Sequence, residues 1–282
     1  MNKIILTAAL ALSLVTSAHA QLSALTVSGT MDYESEYVFR GKKVTSSAFQ
    51  PSVNFSYPAI GGSVNAFVWT SQPIGQQGTG GAGPNGTNEI DAGIAYDHAL
   101  SGWSDDTTLE IGYQLYWYPD NGGLATNGAG PPSRSHEFHV GATYDTTKLI
   151  GQNISPSVFL YHDVILDSNT IQLGLAYSYD LSDALGVKGV SINPSANLGW
   201  TGVNRNAGDQ IQAGGQWKNA FIYWQANLEL DYKINTSTTF FAAAHYAGNS
   251  DGTTNGFGGG NPQAPAGGSN SLWAGLGVKF NM

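Results

Sequence analysis

The chain has 282 residues, a formal charge of −9, no cysteine, 37 glycines and only 11% charged residues, with a mean hydropathy of −0.16 and a pI ≈ 4.9. The missing cysteine excludes a disulfide scaffold and a thiolate metal site, the acidic balance excludes a basic nucleic-acid face, and the lack of apolar runs of ~20 residues beyond the N-terminus excludes a helical membrane protein. A large all-β chain remains, rich in glycine, aromatics and small polar residues. Residues 1–20 stand apart: Lys3, the apolar run Ile4 to Val15 and then Ala18-His19-Ala20 form the three parts of a secretory signal peptide. Cleavage leaves one domain, 21–282, which starts at Gln21 and carries ten basic and twenty acidic residues, a net charge of −10.

From Thr26 to Arg40 the odd positions are Val27, Gly29, Met31, Tyr33, Ser35, Tyr37 and Phe39, and the even ones include Ser28, Asp32, Glu34, Glu36 and Arg40. Successive side chains of a strand point to opposite faces, so one face is apolar and the other acidic. Ala48 to Tyr57 repeats the pattern, and further segments run at about 62–71, 88–97, 106–118, 135–145, 154–163, 169–179, 190–201, 219–232, 238–247 and 271–282. Each is close to the ~10 residues of a tilted membrane strand. Pro51, Pro156 and Pro194 interrupt such runs and read as bulges or strand starts, with no specific account for Pro194.

Alternation alone fits a soluble sandwich too, and three features separate the two. No Asp, Glu, Lys or Arg falls on the apolar face of these segments, and the polar face is mostly Ser, Thr, Asn, Gln and Gly, as in a barrel lumen. The links alternate in length: Gln72–Thr87, Asp120–Arg134 and Ala247–Asn270 are long, while Pro58–Gly61 and Lys233–Ser237 are short, the link after the seventh strand being short as well. Apolar-face aromatics mark both rims, with Tyr57, Tyr96, Tyr144, Tyr179, Tyr232 and Phe280 at one and Phe39, Trp117, Trp200 and Tyr246 at the other, as interfacial girdles require. The expected fold is an all-β, transmembrane, antiparallel up-and-down barrel of about twelve strands, with long extracellular loops, short periplasmic turns and both termini periplasmic.

Tyr37-Val38-Phe39-Arg40-Gly41, then Phe49-Gln50-Pro51-Ser52-Val53, Glu89-Ile90-Asp91-x-Gly93, Tyr116-Trp117-Tyr118-Pro119 and His136-Glu137-Phe138 resemble the TorF-type porin family of bacterial outer-membrane barrels. The resemblance runs from about Val27 to Asp163 and fades beyond. It implies a porin-like role and supplies no site residues.

Motif look-alikes fail on context. Gly78-x-Gly80-x-x-Gly83 spells a dinucleotide fingerprint but lies in a Pro/Gly-rich stretch with no helix after it, and Gly256–Gly260 with Pro262 and Pro265 reads as a loose extracellular loop. Glu137 and His139 share an inward face two residues apart, which suits a hydrogen-bonded lumen pair better than a metal. The inward charges are more informative. Asp32, Glu34, Glu36, Glu89, Asp91, Glu110, Glu137, Glu229 and Asp231 stand against Arg40 near the outer end and Lys279 near the periplasmic end. Acidic pore walls favour cations. The expected function is passive, cation-favouring passage of small hydrophilic solutes through an outer-membrane porin, with no cofactor, no metal and no nucleic-acid partner. Its contacts are outer-membrane lipid and small solutes or ions. Two other classes stay open: a barrel-embedded lipid hydrolase working from His136, His162, Ser35 and Asn169 at the outer rim, and a non-conducting structural or adhesive barrel. A lumen closed by pairing of its acids with Arg40 is the alternative to an open bore.

Overall fold

Period-two alternation over 8–14 residues leaves each segment a single way to hide its backbone, by pairing with neighbours on both sides. A computed structural model of the chain describes residues 24–45, 47–74, 88–100, 104–119, 134–203, 211–213, 216–218, 220–250 and 270–282. The expected signal peptide, the Gly78–Gly83 fingerprint and the Gly256–Pro265 stretch lie outside these residues. In chain order the elements are β1 (Thr26–Glu34), β2 (Tyr37–Phe39), β3 (Lys42–Thr45), β4 (Ala48–Phe49), β5 (Ser52–Ala59), β6 (Gly62–Pro73), β7 (Glu89–Leu100), β8 (Ser104–Trp117), β9 (Arg134–Tyr144), α1 (Thr147–Ile150), β10 (Ile154–Asp163), β11 (Ser168–Tyr177), β12 (Tyr179–Asp180), α2 (Ser182–Leu185), β13 (Val190–Val203), β14 (Ile211–Ala213), β15 (Gln216–Lys218), β16 (Ala220–Lys233), β17 (Thr238–Asn249) and β18 (Asn270–Asn281).

Counting β4–β5 and β11–β12 as one stave each, the wall is a closed antiparallel barrel of 12 strands. Closure comes from the first and last strands, paired from Ser28↔Asn281 to Glu34↔Gly275. With no free edge, the wall leaves no ladder groups to lipid. The outward residues of each strand stay bare: Leu272 is 75% exposed, and Ile111 and Leu276 are each 61% exposed. Water would not tolerate an apolar belt of this extent on a monomer; lipid does.

Ile60-Gly61 joins β5 to β6 with both residues at positive φ, as a tight two-residue hairpin loop requires. The links between β9 and β10 and between β12 and β13 are longer than expected of this end, and each holds one helical turn, α1 or α2. Asp145 sets up the first: its Oδ1 accepts the Thr147 hydroxyl (2.6 Å) and amide (2.8 Å), which hold this exposed carboxyl below its ordinary range. Asp180 accepts the Ser182 amide (2.7 Å) in the same way.

The prolines mark no register shift, contrary to the bulge reading, while Pro51 directly precedes β5, as the strand-start reading has it. Thr30↔Ser52 and Tyr33↔Phe49 lie on one continuous register across Pro51, whose carbonyl accepts the Thr70 amide (3.1 Å) with no N–H to return. Pro194 pairs with Leu228 and faces the interruption between β11 and β12. Ala176↔Ser195 and Tyr179↔Ile192 keep the same register across that gap. Pro51 therefore leaves a ladder bond unmade, and neither it nor Pro194 moves a side chain to the other face.

The larger correction concerns the first strand. The alternation from Thr26 to Arg40 does not form one strand: β1 ends at Glu34, and β2 and β3 make a separate two-stranded sheet. Phe39, expected in the outer girdle, packs instead against Tyr116, Tyr118 and Leu166. Alternation is a local signal, satisfied equally by a strand in the wall and by a hairpin lying against its inner face.

Candidate functional site

Inward-facing positions converge on the bore, and their contents are set by the parity of each strand. At the tip of β2–β3, Arg40 (φ 48) and Gly41 (φ 72) form a two-residue loop of the kind that needs positive φ twice. The hairpin folds into the lumen at the end of the barrel opposite the chain termini. Tyr37 meets Trp69 of β6 with ring centroids 5.4 Å apart, and Phe39 meets Tyr116 of β8 at 5.9 Å. Val38 is buried with Ala247 of β17 and Trp273 of β18. The Gly41 carbonyl accepts from Asn249 Nδ2 of β17 at 2.7 Å, and Lys42 Nζ lies 5.4 Å from the Phe221 ring of β16.

Arg40 is the centre of this arrangement. Its guanidinium donates two hydrogen bonds to Glu137 of β9, at 2.7 and 3.0 Å, and lies 4.8 Å from the ring centroids of both Phe39 and Tyr161. Tyr116 donates to the same carboxylate at 2.9 Å. A planar fork between two aromatic faces, matched by a bidentate carboxylate, is a geometry that lysine does not provide. Glu36 is paired at 2.6 Å with Lys43, within the hairpin unit.

The other inward acids occupy separate places. Glu89 and Asp91 of β7 lie under the hairpin, accepting from Tyr118 (2.9 Å) and from Gln114 (3.2 Å) respectively. Each keeps a buried carboxylate oxygen with no hydrogen-bond partner. Glu34 of β1 faces His245 Nε2 at 3.5 Å, and Asp32 accepts from the Thr30 hydroxyl at 3.3 Å. Midway down the wall Glu110 of β8 bonds His139 of β9 at 2.8 Å. Toward the terminal end Lys279 of β18 holds Glu229 (2.6 Å) and Asp231 (3.0 Å) of β16. At that mouth a cavity of about 470 Å3 opens between Ser28, Thr30, Asn54, Thr239 and Lys279.

All the strand-borne residues expected in the lumen thus face it, and Glu36 and Arg40 reach it through the hairpin. Glu137 and His139 do not pair with each other; each has its own partner on another element. Among the described residues no group of three His, Cys, Asp or Glu side chains is arranged to hold a metal ion. Sequence reading missed Asp97, bonded to Asn65 at 2.7 Å. It also missed Asp163, which accepts the Ser135 hydroxyl (2.6 Å) and the Ile165 and Leu166 amides (2.9 and 2.8 Å) and so pins the β10–β11 turn. The parity that places Glu89 and Asp91 inward, carried three turns of the pleat further along the same strand, would have found Asp97.

The outer-rim residues do not assemble as a nucleophile and base. Ser35 accepts the Ala274 amide at 3.0 Å on the β1–β18 seam. His136 is bonded to the Tyr113 hydroxyl (2.6 Å) and His162 to Asn169 (3.0 Å), on strands across the barrel from that seam. Neither histidine is hydrogen-bonded to Ser35.

No protein-family model matches the chain, and no curated protein sequence is similar to it. Among solved structures it is similar to the NanC porin (13% identity, TM-score 0.49, covering 91% of this chain and 99% of that one). It is also similar to an outer membrane channel from Pseudomonas putida F1 (9%, 0.49, 92% and 96%) and to the KdgM porin (9%, 0.46, 90% and 98%). Likeness this distant does not carry a substrate or a mechanism from one protein to another.

Proposed function

We propose that the chain is an outer-membrane, porin-like channel for passive passage of small hydrophilic solutes, with a preference for cations. The observation that carries this reading is the charge balance of the bore after its pairings are counted. Arg40 is taken by Glu137, Lys43 by Glu36, and Lys279 by Glu229 and Asp231, while Lys42, the remaining cation of the hairpin, lies over the Phe221 ring. Glu89, Asp91 and Asp97 have no cationic side chain within ion-pair distance among the described residues, and each keeps a buried carboxylate oxygen without a hydrogen-bond partner. A bore in which acids outnumber bases, between low-dielectric walls, concentrates cations and repels anions. The belt of bare apolar side chains calls for lipid around it, and the signal-like N-terminus calls for export. Long links outside and termini in the periplasm give the orientation usual for such barrels. The resemblance of Tyr37–Gly41 to TorF-type porins points the same way and rests on the quoted residues alone.

The test is current across a planar bilayer holding refolded mature chain under a salt gradient. Small discrete steps with a cation-selective reversal potential are expected. Anion selectivity would overturn the reading, and so would silence from barrels shown to be folded, with and without the Tyr37–Thr45 hairpin.

A further inference from the structure

We infer that the Tyr37–Thr45 hairpin is a plug seated across the bore, and that the Arg40–Glu137 pair is the latch holding it there. This rests on the channel reading and adds what controls the channel. The hairpin leaves the wall between β1 and β4, yet its side chains meet Trp69 on β6, Glu137 and Tyr161 on β9 and β10, and Ala247 and Trp273 on β17 and β18. These strands lie on different sides of the ring, so a segment touching all of them crosses the lumen. The bore at this depth is occupied by Tyr37, Val38, Phe39 and Arg40, all at least partly buried, whereas the described cavity of about 470 Å3 lies at the opposite mouth.

The plug is built to be separable. Its ladder closes on itself, pairing Tyr37 with Thr45, Val38 with Lys43 and Phe39 with Lys42, and it forms a sheet distinct from the wall. Lifting it breaks no wall ladder bond. The Lys43–Glu36 pair travels with it. The seated position is fixed by side chains: Arg40 on Glu137, Asn249 on the Gly41 carbonyl, and the aromatic contacts of Tyr37 and Phe39. Of these the latch is the most demanding. A guanidinium 8% exposed is stable inside only while its carboxylate is opposite, and without it the favourable place for Arg40 is water. Withdrawal of the tip would take the base away from Glu137, which lies on the same side of the bore as Glu89 and Asp91, so the open bore would be more acidic than the seated one.

The chain has no cysteine, which makes a lock simple to build. Val38 and Ala247 are packed together, and the variant V38C/A247C places a thiol on the plug and another on the wall. Four refolded proteins are compared in bilayers and in liposome swelling with sugars of increasing size, folding being checked by heat-modifiable electrophoretic migration. They are the wild type, a variant with residues 36–47 replaced by a short Gly-Ser link, Glu137→Gln, and Glu137→Gln carrying V38C/A247C. Excision is expected to raise single-channel conductance roughly threefold or more, as the bore widens toward the full width of the strand ring, and to admit larger sugars. Glu137→Gln is expected to visit that larger level in bursts, and oxidation of the two cysteines to suppress the bursts until a reductant is added. Equal conductance and equal size limit in the wild type and the excised barrel would overturn the plug while leaving the channel reading intact. Bursts that persist under the oxidised lock would overturn the latch, and silence from all four folded proteins would overturn plug and channel together.

Discussion

Taking Arg40 out of water is costly, and three neighbours offset the cost: the Glu137 fork and the rings of Phe39 and Tyr161. Removing one partner of such a pair leaves a buried, uncompensated charge, whereas replacing both with apolar residues of similar volume is often close to neutral. Here the chain has an escape, because the hairpin can lift and rehydrate Arg40. Glu137→Ala is therefore expected to shift the seated hairpin toward the lifted form by about 3 kcal/mol, roughly a hundredfold in opened fraction. Trypsin reads this directly, since Arg40 and Lys42 are buried when the hairpin is seated. The wild-type barrel should resist cleavage there, Glu137→Ala should be cut rapidly, and R40M/E137L should be resistant because no charge is left stranded. Rapid cleavage of the wild type, or equal resistance of the wild type and Glu137→Ala, would show that the ion pair does not hold the segment.

At the scale of the strand, the glycines and the inward aromatics are one feature. Phe159 is registered opposite Gly141 across β10 and β9, and Phe67 opposite Gly93 across β6 and β7. In each pair the ring lies over the glycine, where a Cβ would overlap it. A ring resting on its neighbour's bare backbone fills the lumen wall without projecting far into the bore and recovers the packing that glycine gives up. Gly141→Ala should force Phe159 from this position, at about 1–3 kcal/mol, and lower the temperature at which the barrel loses its heat-modifiable migration. Phe159→Ala added to it should relieve the clash, and strict additivity of the two losses would argue against the pairing. Twelve wall segments are legible in the sequence because they follow from period two, although the first runs past the end of β1 at Glu34 and the same parity was not carried as far as Asp97. The hairpin is not legible in this way because Tyr37 to Arg40 continue the alternation of β1 with no proline or glycine at the Ser35-Glu36 break. The signal lay one step on: Arg40-Gly41 between two short alternating runs is a two-residue turn. Partners across the barrel, such as Glu137 for Arg40, are 97 residues apart, and no local pattern states which of several inward acids a given base will find.

For the whole molecule, the consequence is that net charge and selectivity are separate quantities. The acids that face the bore fall into those already answered by a base and those that are not. On the channel reading, only the second kind can add net charge to the bore, since an ion pair presents a dipole whose potential falls off faster than that of a single charge. Glu36 with Lys43 and Glu137 with Arg40 belong to the first kind; Glu89 and Asp91 belong to the second, side by side on β7, where their hydrogen bonds come from Tyr118 and Gln114 and not from a base. Neutralising the latter as E89Q/D91N should lower the cation-to-anion permeability ratio roughly twofold or more. Neutralising the former as E36Q/K43Q, which removes an acid and its base together, should leave the ratio near that of the wild type. Reversal potentials in a salt gradient distinguish the two. If E36Q/K43Q moved the ratio as far as E89Q/D91N, paired charges would be setting selectivity as strongly as unpaired ones, and the preference would have to be sought in the position of the hairpin rather than in the carboxylates beneath it.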